Sequence, residues 1–178
     1  MKALVVYESM YGNTAAIAEA IARSLTIAGM EVELTPISGC APERAAEVDL
    51  LVAGGPTHAH GMSWPATRKA ATQDAKNRFS EPTVEPGLRR WMNDLPPGIG
   101  RRAAAFDTRF DRSVAITGSA AKGLARRLEG HGYEVCTAPT SFFVTQDNTL
   151  ADGEAARAAA WGAALAERCA ARPDRSNV

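Results

Sequence analysis

The opening of the chain leaves few folds available to it. The apolar run Ala3-Leu4-Val5-Val6 has the composition of a short strand buried on both faces, as in parallel sheets. A polar turn follows, Tyr7-Glu8-Ser9-Met10-Tyr11-Gly12-Asn13. It opens into a helical pattern over residues 14–28, where Ile17, Ile21, Leu25 and Ala28 share one face. Gly29 stands where such a helix takes its C-terminal cap. A strand that passes directly into a helix reaches its neighbour by a crossover rather than a hairpin, which is the connection of a parallel sheet.

The turn also carries chemistry. The first amides of a helix have no partner within it, and the helix dipole favours negative charge there. With the hydroxyls of Ser9 and Thr14 beside those amides, and Gly12 letting the chain curl, the turn becomes a cradle for a phosphate. It holds neither Gly-x-x-x-x-Gly-Lys-Ser/Thr nor Gly-x-Gly-x-x-Gly, and no lysine or arginine. A single phosphate monoester held by amides and hydroxyls suits it better than a triphosphate with magnesium. The alternative is a plain N-cap on an ordinary βα unit. The hexapeptide Ser9-Met10-Tyr11-Gly12-Asn13-Thr14 resembles the phosphate loop of the flavodoxin-like family, which holds the terminal phosphate of FMN.

Composition bounds the rest. A chain of 178 residues suits one domain with a full core, expected over residues 1–172 with a polar tail at 173–178. Lysine plus arginine and aspartate plus glutamate balance at 20 each, and no basic run points to nucleic acid. Cys40, Cys136 and Cys169 are odd in number and widely spaced, with no Cys-x-x-Cys, which argues against a disulfide framework or a metal site. A strand beginning within three residues of Met1 leaves no room for a signal peptide, and no apolar stretch approaches the ~20 residues of a membrane span. The expectation is a cytoplasmic protein without membrane insertion.

Further along, residues 31–36 alternate charged and apolar side chains, as in a half-covered strand near a sheet edge ended by Pro36. A short helical piece at 42–47 leads to a buried strand at 48–53 and then a long polar turn, Gly54-Gly55-Pro56-Thr57-His58-Ala59-His60-Gly61-Met62. Residues 64–76 predict a helix with Pro65 in its first turn. Residues 77–100 are an excursion around a short helix at 87–92. Residues 102–106 form an alanine-rich strand ending in a third polar turn, Asp107-Thr108-Arg109-Phe110-Asp111. A helix over 118–129 follows. A last strand within 133–144 is broken in two by Pro139, and an alanine-rich helix over 153–171 turns Ala158, Trp161, Leu165 and Cys169 inward.

Five strands alternating with helices predict a single doubly wound α/β fold: a five-stranded parallel sheet, order 2-1-3-4-5, with helices on both faces. In that order the turns at 9–14, 55–62 and 107–111 meet at one carboxyl-edge crevice. The family resemblance now spans most of the chain. Gly55-Pro56-Thr57 through Gly61-Met62 looks like the family's Pro-Thr-x-x-Gly loop beside the isoalloxazine, and residues 107–110 occupy the place of its third loop.

The resemblance implies FMN as cofactor. It implies that Ser9, Met10, Tyr11, Gly12, Asn13 and Thr14 bind phosphate, and that Pro56, Thr57, His58, Ala59, His60 and Gly61 meet the ring. It places Asp107, Thr108, Arg109 and Phe110 on the ring or the ribityl chain. Electron-transfer flavodoxins usually carry Gly-Asp-x-x-Tyr in the third loop, where this chain has Asp-Thr-Arg-Phe, so stacking falls to Phe110, Trp64 or one of His58 and His60. Trp64 and Trp91 otherwise read as helix-anchoring core aromatics, and Arg109 as a surface partner of Asp107 or Asp111.

The function implied is redox: an electron carrier, or an FMN-dependent oxidoreductase linked to NAD(P)H or a quinone. The partner is a redox protein or a small-molecule acceptor such as a quinone. The near-neutral loops predict a flavin potential less negative than that of an acidic flavodoxin. A flavin-free scaffold serving as an interaction module is the alternative. A phosphoacceptor receiver is excluded, because the third strand ends Ala53-Gly54-Gly55-Pro56 without the aspartate it needs. The 77–100 excursion either covers the flavin edge or builds a subunit contact, in which case a homodimer is expected.

Overall fold

A computed structural model describes residues 1–58, 61–73 and 87–170. In chain order the elements are β1 (Lys2–Tyr7), α1 (Asn13–Ile27), β2 (Glu31–Pro36), β3 (Leu50–His58), β4 (Gly61–Met62), α2 (Pro65–Gln73) and α3 (Leu88–Asn93). They continue with β5 (Arg102–Phe110), α4 (Val114–Thr117), α5 (Ala120–Gly130), β6 (Glu134–Val135), β7 (Thr140–Val144) and α6 (Glu154–Ala170). The spine of the sheet runs β2-β1-β3-β5-β6. β7 continues alongside β5 beyond β6, so the fifth position is filled by two short strands, divided as Pro139 predicts. The predicted 2-1-3-4-5 order is therefore present, all parallel, with β4 added as an antiparallel partner of the end of β3.

The apolar runs work because a parallel strand is covered on both faces. Along β1, Ala3, Val5 and Tyr7 enter one core, and Leu4 and Val6 enter the other. The same alternation divides Leu50 and Val52 from Leu51 and Ala53, and Ala104 and Phe106 from Ala103 and Ala105. α1 and α6 close the first face. α3 and α5 close the second, with Trp91, Leu88, Leu124 and Leu128 fully or nearly fully buried. Alanine, a weak strand former by itself, suits β5 because the central strand has large neighbours on both sides. Its buried aromatic, Phe106, faces Gly54 across the ladder. A Cβ at Gly54 would lie 2.0 Å from the Phe106 ring, so the ring occupies the space that glycine leaves.

Several boundaries differ from those the sequence predicts. β3 continues through His58 and β5 through Phe110, because their mutual register runs on to Pro56↔Thr108 and β4 and β7 then pair with the last residues of each. Ladder hydrogen bonds thus extend strand into segments whose polarity reads as turn. The polar turn at 54–62 is largely the end of β3 and its hairpin partner, with Thr57↔Met62 and His58↔Gly61 paired. Ala28 is exposed beyond the end of α1 rather than on its buried face. Trp64 is 50% exposed and does not anchor a helix in the core. Arg89 stands over its ring, 4.0 Å from the centroid, and donates to the Met62 carbonyl at 3.2 Å. Trp161, as expected, packs inward, edge-on to Phe106 and Phe142. The predicted helix beyond residue 73, the excursion before residue 87 and the tail at 173–178 lie outside the described residues.

Candidate functional site

β1, β3, β5 and β7 run in the same direction, so their carboxyl ends share one edge of the sheet. The loops leaving that edge enclose a cleft of about 250 Å³. From the first loop and the start of α1 it is lined by Met10, Tyr11, Asn13 and Thr14; from the end of β3 by Pro56, Thr57 and His58; and from the end of β5 by Thr108, Arg109 and Phe110. Ile116, Thr117, Val144 and Asn148 complete it.

The first loop is shaped by Gly12, whose φ of 84° is a left-handed conformation open to glycine and strained for most other residues. This bend aims the first turn of α1 at the cleft. Ser9 does not line the cleft: its Oγ accepts from the Ala15 amide at 3.3 Å and steadies the helix start. Thr14 Oγ1 lies 2.8 Å from Thr108 Oγ1, a buried contact that ties the first loop to β5.

Asp107 is fully buried beneath the lining. Its Oδ2 accepts from Thr57 Oγ1 at 3.0 Å, Ser119 Oγ at 2.7 Å and the Ala121 amide at 2.8 Å. Thr57 Oγ1 in turn accepts from the Ala120 amide at 2.8 Å. One carboxylate therefore fastens the hairpin, β5 and the start of α5 together.

Arg109 corrects the expectation of a surface ion pair. It is 8% exposed, and its Nη1 donates to the Phe110 carbonyl, the Arg112 carbonyl at 2.6 Å and Thr117 Oγ1. Its guanidinium stands 5.0 Å from the centre of the Phe143 ring. The cation thus holds the loop between β5 and α5 closed through carbonyl dipoles. Its Nε is buried without a partner among the described residues. Burial holds the His58 imidazole below its ordinary value, which leaves the ring neutral at pH 7. Gly12, Gly61 and Asp107 stand near the cleft without lining it, and Ala59 and His60 lie outside the described residues.

The fourth loop is absent from the sequence reading. Asn148, at φ 56°, sits in a turn closed between Thr145 and Thr149, and its carbonyl accepts from Asn13 Nδ2 at 2.8 Å. The signal was the turn-forming run Asp147-Asn148-Thr149 just after the last strand, at the same edge. Glu8 directly follows β1. It is 5% exposed and accepts from Ser63 Oγ and from the Leu88 amide at 2.7 Å, while Arg68 donates to the same Ser63 hydroxyl at 3.1 Å. This buried set holds the segment after the hairpin against the first loop.

Residues 5–106 match the family model described as flavodoxin. The chain belongs to the flavodoxin family. Among solved structures this flavodoxin-family chain is similar to a flavodoxin from the domain Archaea, at 20% identity and a TM-score of 0.67, over 96% of this chain and 99% of that one. A short-chain flavodoxin associated with a non-canonical PDU bacterial microcompartment aligns at 17% identity and a TM-score of 0.69, over 95% and 99%. Rubredoxin oxygen:oxidoreductase from Desulfovibrio gigas aligns at 18% identity and a TM-score of 0.60, over 96% of this chain and 37% of that one. A comparison with curated protein sequences finds no match.

Family membership implies FMN, and the residues present fit it. The helix start offers amides at a bend that needs glycine, while the cleft pairs apolar walls with backbone and hydroxyl groups. Arg109 Nε beside it and Asp107 Oδ1 beneath it are buried polar atoms without partners among the described residues. Among the described residues there is no cluster of histidine, cysteine and carboxylate side chains that could hold a metal, and no helix is long and apolar enough to cross a membrane.

Proposed function

We propose that this flavodoxin-family chain binds FMN in the carboxyl-edge cleft and carries electrons to a redox partner. Residues 10–14 hold the phosphate, with Ser9 steadying the start of α1 behind them. Pro56, Thr57 and His58 border one side of the ring, and Thr108, Arg109 and Phe110 the other. FMN supplies the one- and two-electron chemistry; the chain binds it, orients it and sets its potential. The observation that carries this reading is the single cleft shared by the first loop, the hairpin and the end of β5.

Titrating the protein into FMN and into riboflavin, followed by flavin fluorescence, tests it. FMN is expected to bind at least roughly tenfold more tightly, because the phosphate makes charge-assisted hydrogen bonds that riboflavin cannot. Equal affinities would remove the phosphate from the first loop. Unchanged fluorescence with both would favour the flavin-free interaction module.

Arg109 makes the expectation about potential specific. A buried positive charge beside the ring stabilises the reduced, anionic flavin more than the oxidised one, and low local dielectric strengthens the effect. The midpoint potential of the FMN-loaded protein is therefore less negative than that of an acidic flavodoxin. Arg109→Gln is expected to shift it negatively by an amount on the order of tens of millivolts, and Arg109→Lys by less. Spectroelectrochemical titration reads both shifts, and a Gln variant at the wild-type potential would rule out the electrostatic role.

A further inference from the structure

The fold brings together two cysteines that the sequence keeps apart. Cys136 follows β6 and Cys169 lies in the last turn of α6, 33 positions later, yet their sulfurs are 3.7 Å apart. Their wide spacing in the sequence argues against a disulfide framework; contact between α6 and the sheet makes them neighbours instead. The Cys136 amide donates to the Ala103 carbonyl at 3.0 Å, and that oxygen lies 3.3 Å from Cys136 Sγ, where it accepts the S–H of the protonated form. Arg102 donates to the Cys169 carbonyl at 2.6 Å and Arg168 to Thr137 Oγ1 at 3.2 Å, so two guanidinium groups border the pair.

The two sulfurs are not equivalent. Cys169 is 1% exposed, whereas Cys136 is partly exposed. The hydrogen bond from the Cys169 thiol brings Cys136 down to about 7, helped by the Arg102 and Arg168 charges against the opposing effect of burial. Cys169 moves the opposite way, raised by its bond to Cys136 and by burial. The third cysteine offers a contrast: Cys40 is buried, and burial pushes it up to about 11.

We propose that Cys136 and Cys169 form a reversible intramolecular disulfide on exposure to hydrogen peroxide, with Cys136 attacking and Cys169 resolving. The Cys136 thiolate attacks the terminal peroxide oxygen, the O–O bond breaks, and hydroxide leaves and takes up a proton. The Cys136 sulfenic acid that results is attacked by the Cys169 sulfur; the S–O bond breaks, and the Cys169 proton leaves with the hydroxide as water. Two thiols lose two electrons and two protons, and hydrogen peroxide becomes two waters. Cys136 pairs with the amino end of β5 at Ala103, and Thr108, which lines the cleft, lies five residues further along the strand, roughly 16 Å away. The site is thus separate from the cleft and does not rest on the flavin reading. Its effect is to lock the end of α6 to the sheet.

The test uses the full chain, reduced with dithiothreitol, freed of it and exposed to hydrogen peroxide. The expected results are a mass loss of about 2 Da, a peptide linking residues 136 and 169, and reversal by dithiothreitol. A closed loop of this length is expected to raise the melting temperature by roughly 5–10 °C. In Cys169→Ser, oxidation is expected to stop at a sulfenic acid on Cys136 that dimedone traps; in Cys136→Ser no rapid adduct forms. Persistence of both thiols in the wild-type chain after peroxide, or linkage through Cys40 or between chains, would overturn the proposal. Alkylating the reduced wild-type chain with iodoacetamide adds a readout that needs no variant: Cys136 is expected to react first, and preferential labelling of Cys169 or Cys40 contradicts the assignment.

Discussion

Asp107→Ala is expected to lower the free energy of unfolding by about 3 kcal/mol, with Asp107→Asn losing about half as much. The fully buried carboxylate accepts from two hydroxyls and one amide, so alanine leaves three donors short of their acceptor at once. Each such loss costs roughly 1–3 kcal/mol, and relief from burying a charge returns part of the sum. Asparagine keeps one acceptor oxygen but turns an amide group toward the side where Oδ1 has no partner. The loss has a local consequence as well. Thr57 and the first turn of α5 are held by this oxygen, so the hairpin wall of the cleft loosens and FMN binding weakens in the same variants. Urea denaturation reads the stability change as a lower midpoint at constant slope. A variant within about 0.5 kcal/mol of wild type would show that these bonds contribute little.

Trp91→Ala is expected to be at least as damaging, at about 3–5 kcal/mol, or a fall in melting temperature on the order of 10 °C. Trp91 is fully buried in the core between the sheet and the helices α3 and α5, and its Nε1 donates to the Cys40 carbonyl at 2.7 Å. Alanine would leave a large cavity and an unpaired carbonyl together. Phenylalanine fills most of the space and loses only the hydrogen bond, so Trp91→Phe is expected to cost about 1–2 kcal/mol. Thermal melts of the three proteins give the order wild type, Phe, Ala. If Phe and Ala proved equally harmful, the hydrogen bond rather than the packing would be the anchor.

The sequence by itself determined the fold class, the strand order and the position of the cleft. These follow from local information: apolar runs in Ala3-Leu4-Val5-Val6 and Leu50-Leu51-Val52-Ala53, the helical period of Ile17, Ile21 and Leu25, and polar residues where strands end. Parallel connectivity then has few solutions, and it brings the first, second and third loops to one edge.

Tertiary structure decided what each polar side chain at that edge does. Asp107, Thr108 and Arg109 read as exposed turn residues, yet the pairing of β5 with β3 and β7 carries them inside, where each finds hydrogen-bond partners. Trp64 read as core and stands half exposed, with the Arg89 guanidinium of α3 over its ring. Asn148 joined the cleft, and Cys136 met Cys169, through contacts between residues distant in sequence. Periodicity reports which face of an element is buried. It carries no record of which residue from another part of the chain lies opposite, and that contact sets the charge, hydrogen bonding and reactivity of the group.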